Sequence, residues 1–183
     1  MNKAQKGFTL LELLIVIAIL AVLATVAVLV INPVEYLRQA RDSQRVGDLS
    51  AVKGAIDLYL STVSTPDLLV GISGTSARCM IGTATPFATA CSTNAVQTTG
   101  GAGWVLVNLG LISGGSPLAT LPKDPTNDAT YFYAYAANDA ANTYELNAKL
   151  ESVKFATDLD LDGNDGGSSS TVYEIGNDPG LDL

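Results

Sequence analysis

The chain has 183 residues and a formal net charge of −8, from 10 basic and 18 acidic side chains, with two cysteines and no histidine. This acidic balance excludes a nucleic-acid binder built on clustered Lys and Arg, and the missing histidine excludes Ser-His and Cys-His nucleophilic pairs. Two cysteines do not make a structural zinc site, and no glycine-rich phosphate loop follows a strand, so the sequence advertises no enzyme.

The length fits one domain plus an anchor. Met1 to Gly7 is a short leader carrying Lys3 and Lys6. It runs directly into an apolar segment: from Leu13 to Ile31 there is no charge, and Thr25 is the only polar residue. Such a run suffices to cross a bilayer as a helix of about 20 residues. The lysines before it predict a cytoplasmic N-terminus and an exported remainder. A secretory signal peptide has a shorter apolar region, about 7–15 residues, and an ordinary single-pass anchor needs no acid. Glu12 departs from both patterns, because a carboxylate at mid-membrane costs on the order of 3 kcal/mol and so calls for a partner. A glutamate reaching back to the lipid interface is the plainer alternative.

Beyond the apolar run, Val34, Leu37, Leu49, Val52, Ile56, Tyr59, Leu60 and Val63 recur at steps of three and four, as on one helix face. Pro66 supplies the stop. A helix from Phe8 to about Thr62 would be roughly 80 Å long. Asn32-Pro33 interrupts it, because Pro33 has no N–H to donate to the Leu29 carbonyl and disfavours helical geometry at Asn32. Arg38, Arg41 and Arg45 form one stripe among Glu35, Asp42 and Asp48. That stripe reads either as a solvated face with local pairs such as Arg38 and Asp42, or as a set of cations for neighbouring subunits or lipid headgroups.

Cys79 and Cys91 lie in the stretch Val70 to Gly103, which is rich in small residues and shows little helical or strand periodicity. An even count in an exported chain predicts one disulfide, with roughly 3 kcal/mol of stabilisation in the chain-entropy view. Trp104 to Ile112 reads as a helix or turn segment that packs Trp104 inward. Tyr131, Tyr133 and Tyr135 alternate with Phe132 and Ala134 as a strand would. Asn138 to Asn142 is a turn, Thr143 to Lys149 a second strand, and Thr171 to Ile175 a third. The tyrosines are a packed strand face rather than a charge-transport path. Asp158, Asp160, Asp162 and Asp165 surround Gly163 in the D-x-D-x-D-G spacing that opens a calcium loop. The twelfth position is Ser169 where such loops carry a glutamate, so a solvated acidic loop stands beside the candidate calcium reading.

The basic leader, the Gly7-Phe8 junction and Glu12 at the fifth position after the junction resemble the type IV pilin-like family with its class III prepilin leader. Leu121-Pro122-Lys123-Asp124-Pro125 and Tyr144-Glu145-Leu146 are similar to the pattern of major pilins and type II secretion pseudopilins, some of which bind calcium near the C-terminal sheet. The resemblance implies an α+β pilin fold: a long N-terminal helix, membrane half plus exported half, packed on a small antiparallel sheet. In that layout 1–7 is the leader, 8–31 the membrane and assembly part of the helix, 32–65 its exported half, 66–130 a variable region with the disulfide, and 131–183 the sheet with its acidic loop. Family members usually carry a proline earlier in the helix, where a segment unwinds in filaments; here Pro33 is the first, so any such segment is displaced.

The resemblance further implies cleavage after Gly7 by a prepilin peptidase and methylation of the new Phe8 amine. Loss of Lys3 and Lys6 would move the side-chain charge from −8 to −10. In a stack of parallel helices, Glu12 of one subunit could pair with the Phe8 amine of the next and set the axial register, as a buried polar residue does in a coiled coil. The implied partners are the chain itself, the peptidase, membrane lipid before assembly, and an assembly platform with cytoplasmic ATPases; no nucleic acid and no required cofactor are implied. The precursor would sit N-in in the cytoplasmic membrane and then enter a surface filament. A pseudopilin forming a short periplasmic piston for secretion or DNA uptake is the nearest alternative. A membrane-anchored calcium or solute binder is the distant one.

Overall fold

The computed structural model describes residues 7–82, 87 and 89–183. Lys3 and Lys6 of the leader lie outside the described residues. The chain divides into two compact units, Met1–Leu37 and Arg38–Leu183.

The first unit is dominated by helix α1, Leu10–Ile31. Its 22 residues span about 33 Å at 1.5 Å per residue, close to the hydrocarbon thickness of a bilayer. Apolar residues occupy every side of it, and large ones such as Leu10, Leu11, Leu20 and Val26 are all exposed. A helix that is apolar all round is stable only where lipid or other helices cover it. Thr25, its one polar interior residue, returns its hydroxyl to the Ala21 carbonyl at 2.9 Å and presents no free donor.

α1 ends at Asn32, whose backbone is left-handed at φ 47° and ψ 69°. Helix α2 then begins at Pro33 and runs to Thr62. Proline fits there because the first helical residue has no intrahelical use for an N–H. The Glu35 amide closes back on the Asn32 carbonyl at 3.0 Å. The predicted interruption is therefore one residue wide. Val34 and Leu37, expected on the buried face, are exposed.

In the second unit α2 packs on a five-stranded sheet of order β2-β1-β3-β4-β5. The strands are β1 Thr75–Cys79, β2 Cys91–Thr93, β3 Tyr133–Asn138, β4 Thr143–Ala148 and β5 Tyr173–Gly176. The sheet is mixed rather than antiparallel, because β2 runs parallel to β1 while the other pairings are antiparallel. β1 and β2 lie where no periodicity was expected. Their inward residues are small, Ala77 and Cys79 on β1, and β2 has only three residues, too few to display alternation.

β3 starts two residues later than expected, because Asp128 accepts the amides of Thr130 and Tyr131 at 2.8 and 2.9 Å and holds them in a turn. Trp104 to Ile112 is irregular, with a single 3-10 turn at Leu109–Leu111 whose Gly110 amide is capped by Asn108. Trp104 is fully buried. Its ring lies 5.8 Å from that of Tyr133, and its indole N–H donates to the Pro122 carbonyl at 3.0 Å.

Leu49, Val52, Ile56 and Tyr59 of α2 join Tyr133, Tyr135, Tyr144 and Leu146 in one core. The tyrosines keep their hydroxyls satisfied: Tyr133 on Asp48 at 2.8 Å, Tyr135 on the Leu68 carbonyl at 2.8 Å and Tyr144 on Asp57 at 2.5 Å. Burial is thus bought for the rings without orphaning their polar ends.

Candidate functional site

The junction of interest is at the start of α1. Gly7 is exposed with nothing within 4 Å of where a Cβ would stand, and Phe8 is 87% exposed. The Gly7–Phe8 peptide is therefore exposed at the start of α1. Thr9 is the N-cap, with its hydroxyl accepting the Glu12 amide at 3.2 Å. The Glu12 carboxylate reaches back to the Thr9 amide at 2.9 Å and its hydroxyl at 2.8 Å. This reciprocal capping box starts the helix.

Glu12 is thus not an isolated acid in an apolar segment. Its carboxylate satisfies the two donors of Thr9, one turn away from Phe8. Thr9 was missed as a site residue, although Thr9-x-x-Glu12 before an apolar run is the sequence signature of such a box.

The predicted arginine stripe does not behave as one group. Arg45 is buried inside the head, neither solvated nor facing a neighbour. Its guanidinium pairs with Asp42 at 2.8 Å, Asp124 at 2.7 Å and Glu151 at 2.6 Å, donates to the Thr126 hydroxyl at 3.0 Å, and lies 5.0 Å from the Tyr131 ring. Burial alone would lower its pKa, but Asp124, Glu151 and Asp42 outweigh this and raise it. Arg41 holds Glu151 from the other side at 2.5 Å. Hydrogen bonding from Arg41, and then the charge of Arg45, hold the Glu151 carboxyl down to about 2 against the cost of burial.

Asp42 also accepts the amides of Glu151 and Ser152. One guanidinium therefore ties α2 to the Leu121–Pro125 segment and to the entry of the acidic loop. That is the structural use of Asp124 within Leu121-Pro122-Lys123-Asp124-Pro125. Only the anion count around Arg45 could have shown this, and it is assembled from three distant segments.

Cys79 and Cys91 are joined as a disulfide with Cα atoms 5.7 Å apart. The four loop aspartates are not brought to a common point. Asp158 ends a wide helical turn, Lys154–Asp158. Asp160 is exposed and left-handed at φ 47°, and both its carbonyl and its carboxylate accept from the Asn164 amide at 2.9 Å. Asp165 accepts the Gly167 and Glu174 amides at 2.8 and 2.6 Å. Asp162 is turned inward with one carboxylate oxygen unpartnered, and burial raises its pKa. Among the described residues no three acidic, histidine or cysteine side chains are grouped to hold a metal ion. As arranged, this donor set does not fit calcium, apart from the inward Asp162 oxygen.

Two buried acids outside that motif, Glu145 on β4 and Glu174 on β5, lie on neighbouring strands. Burial raises both, Glu174 to about 7, with the neighbouring Glu145 and Asp165 charges adding to it. Glu174, Asp165, Asp178 and Lys53 line a shallow groove of about 310 Å³.

Comparison with known families places the first of these features. Residues 2–28 match the family model of the prokaryotic N-terminal methylation motif, which supports a class III prepilin leader. The apolar α1, and a head of one helix on a small mixed sheet, make an α+β layout consistent with the pilin fold. Neither the curated proteins nor the solved structures gave a match. The motif points to a structural subunit rather than an enzyme, and to a membrane-anchored precursor.

Proposed function

We propose that the chain is the structural subunit of a type IV pilus-like surface filament. A prepilin peptidase cuts after Gly7, the Phe8 amine is methylated, and subunits polymerise through α1. The observation that carries this reading is a fully exposed apolar helix whose entry holds a clear Gly7–Phe8 bond and the Glu12 carboxylate. An apolar surface of this kind needs cover, from lipid first and from other copies of the chain afterwards. Cleavage would place a cation on Phe8 one turn from Glu12. In a helix stack this carboxylate exchanges Thr9 for the amine of a neighbour, and leaving either charge alone in apolar surroundings costs several kcal/mol. The energy for extrusion comes from outside the chain, through an assembly platform and its ATPases.

The test is Glu12→Ala in the producing cell. Processing after Gly7 continues, while surface filaments fall at least about tenfold, because the neighbour's amine is left without its counter-charge. Normal filaments from the variant contradict the pairing.

A further inference from the structure

We propose that the Cys79–Cys91 disulfide is a redox latch on the sheet edge: once it is reduced, β2 leaves β1, and β1 pairs antiparallel with β1 of a second copy. β2 is a three-residue edge strand held to β1 by the pairs Ala77↔Cys91, Arg78↔Ser92 and Cys79↔Thr93. On its other side β1 is paired over five residues with β3. Among the described residues the other ties of the β2 region are few, and they include the Ser92 hydroxyl on the Ala77 carbonyl at 3.5 Å and the Thr89 amide on the Leu183 carbonyl at 3.3 Å. Arg78 meets Ser92 at the surface, Thr93 bonds the Gly82 carbonyl, and the Asn94 side chain holds the 102–103 backbone rather than the sheet. The covalent bridge is the strongest constraint on this strand.

Two backbone bonds fix which groups reduction would bare. The Met80 amide donates to the Tyr133 carbonyl of β3, whereas the Cys79 carbonyl accepts from the Asn94 amide on the β2 side. Since backbone groups alternate along a strand, the N–H and C=O of Ala77 and Cys79 face β2. Without β2 they form an open edge, the feature from which strands pair between chains.

The occupant follows from register and charge. Ala77 is the middle residue of β1, so an antiparallel pair with its two-fold axis at Ala77 overlaps all five residues. In it, the two Ala77 residues exchange both hydrogen bonds through groups that already face the edge. Arg78 of one copy then lies opposite Ser76 of the other, which keeps the like charges apart. A register centred on Arg78 sets the two Arg78 residues directly opposite one another, a like-charge pair that disfavours it.

The reductant is a dithiol. Its first thiolate attacks Cys91 Sγ, the more exposed of the two residues at 8%, breaks the S–S bond and forms a mixed disulfide. Its second thiolate displaces the Cys91 sulfur and leaves as an oxidised disulfide. Two electrons pass to the protein, and Cys79 and Cys91 take up the two protons the dithiol loses. The formed bridge thus leaves α1 as the route by which copies meet, and this consequence rests on the filament reading; the latch itself does not.

The experiment is amide hydrogen exchange on the full chain in detergent micelles, oxidised and after dithiothreitol, at two protein concentrations. On reduction at low concentration, the Ala77 and Cys79 amides exchange at least about tenfold faster while β3, β4 and β5 keep their protection. At high concentration the protection of Ala77 returns. Cys79→Ser with Cys91→Ser reproduces the reduced state without reductant. Unchanged exchange at Ala77 and Cys79, or fast exchange at both concentrations, overturns the proposal. Loss of protection across β3 to β5 overturns it as well, because the bridge then holds the whole head.

Discussion

At the scale of single residues, Arg45 carries the most consequence. Its side chain is fully excluded from solvent and holds Asp42, Asp124 and Glu151. Removing it leaves buried anions without a counter-charge, a loss of about 3–5 kcal/mol. Arg45→Ala should therefore unfold at a clearly lower temperature in a thermal melt. Arg45→Lys should recover little, because an ammonium cannot present the planar fork that meets Asp124 with two nitrogens.

The acids predict opposite pH behaviour. Glu151 is held down to about 2, chiefly by Arg41. Its stabilisation is therefore complete above the ordinary carboxylate range and is lost as pH falls from there towards 2. Glu145 is raised, chiefly by burial, so the folded state holds its proton more tightly than the unfolded one. Stability then declines as pH rises above the ordinary carboxylate range. Melting curves across pH should show Glu145→Gln flattening the alkaline limb and leaving the acid limb in place. An unchanged alkaline limb would remove Glu145 as its cause.

At the scale of elements, the break between α1 and α2 is a local consequence of Asn32 and Pro33. Pro33→Ala restores an N–H and removes the ring that disfavours helical backbone at Asn32, a change that in a helix interior is worth about 3 kcal/mol. The amides of Asn32, Val34 and Glu35 should then gain hydrogen-exchange protection; equal exchange in both proteins would show that Asn32 breaks the helix by itself.

α1 was legible as an unbroken apolar run long enough to cross a bilayer, the seam because proline marks it, and α2 because its apolar residues recur at steps of three and four. The aromatic strands were legible within two residues for the same kind of reason. β1 and β2 were not, since alanine, serine and cysteine carry no amphipathic signal and β2 is held by a parallel pairing and a disulfide. The D-x-D-x-D-G spacing left a calcium loop and a solvated acidic loop side by side. Its ligand geometry was not legible, because Asn164 and the Glu174 amide engage Asp160 and Asp165. Spacing also says nothing of Glu145 and Glu174, which meet only when β4 and β5 pair.

At the scale of the whole molecule, the chain has two units of different character: an exposed apolar helix and an acidic head with its own core. The head's core is built on Arg45, the tyrosines and Trp104, and the filament reading assigns α1 to lipid and to other copies. The 27 residues that match the methylation motif, 2–28, fall in the part that the head does not use. That division predicts tolerance: substitutions on the exposed faces of the head should leave processing at Gly7 unchanged, whereas changes at Phe8, Thr9 and Glu12 should alter processing or assembly while the head's melting temperature holds.

The most direct measurement of the central claim is intact-mass and N-terminal analysis of the protein from sheared surface material and from membranes. The filament account predicts a chain beginning at methylated Phe8 in the sheared fraction. The same processed chain confined to membranes would replace the surface filament with a short pseudopilus. A chain still beginning at Met1 in both fractions would contradict the account and return the protein to a simple anchored binder.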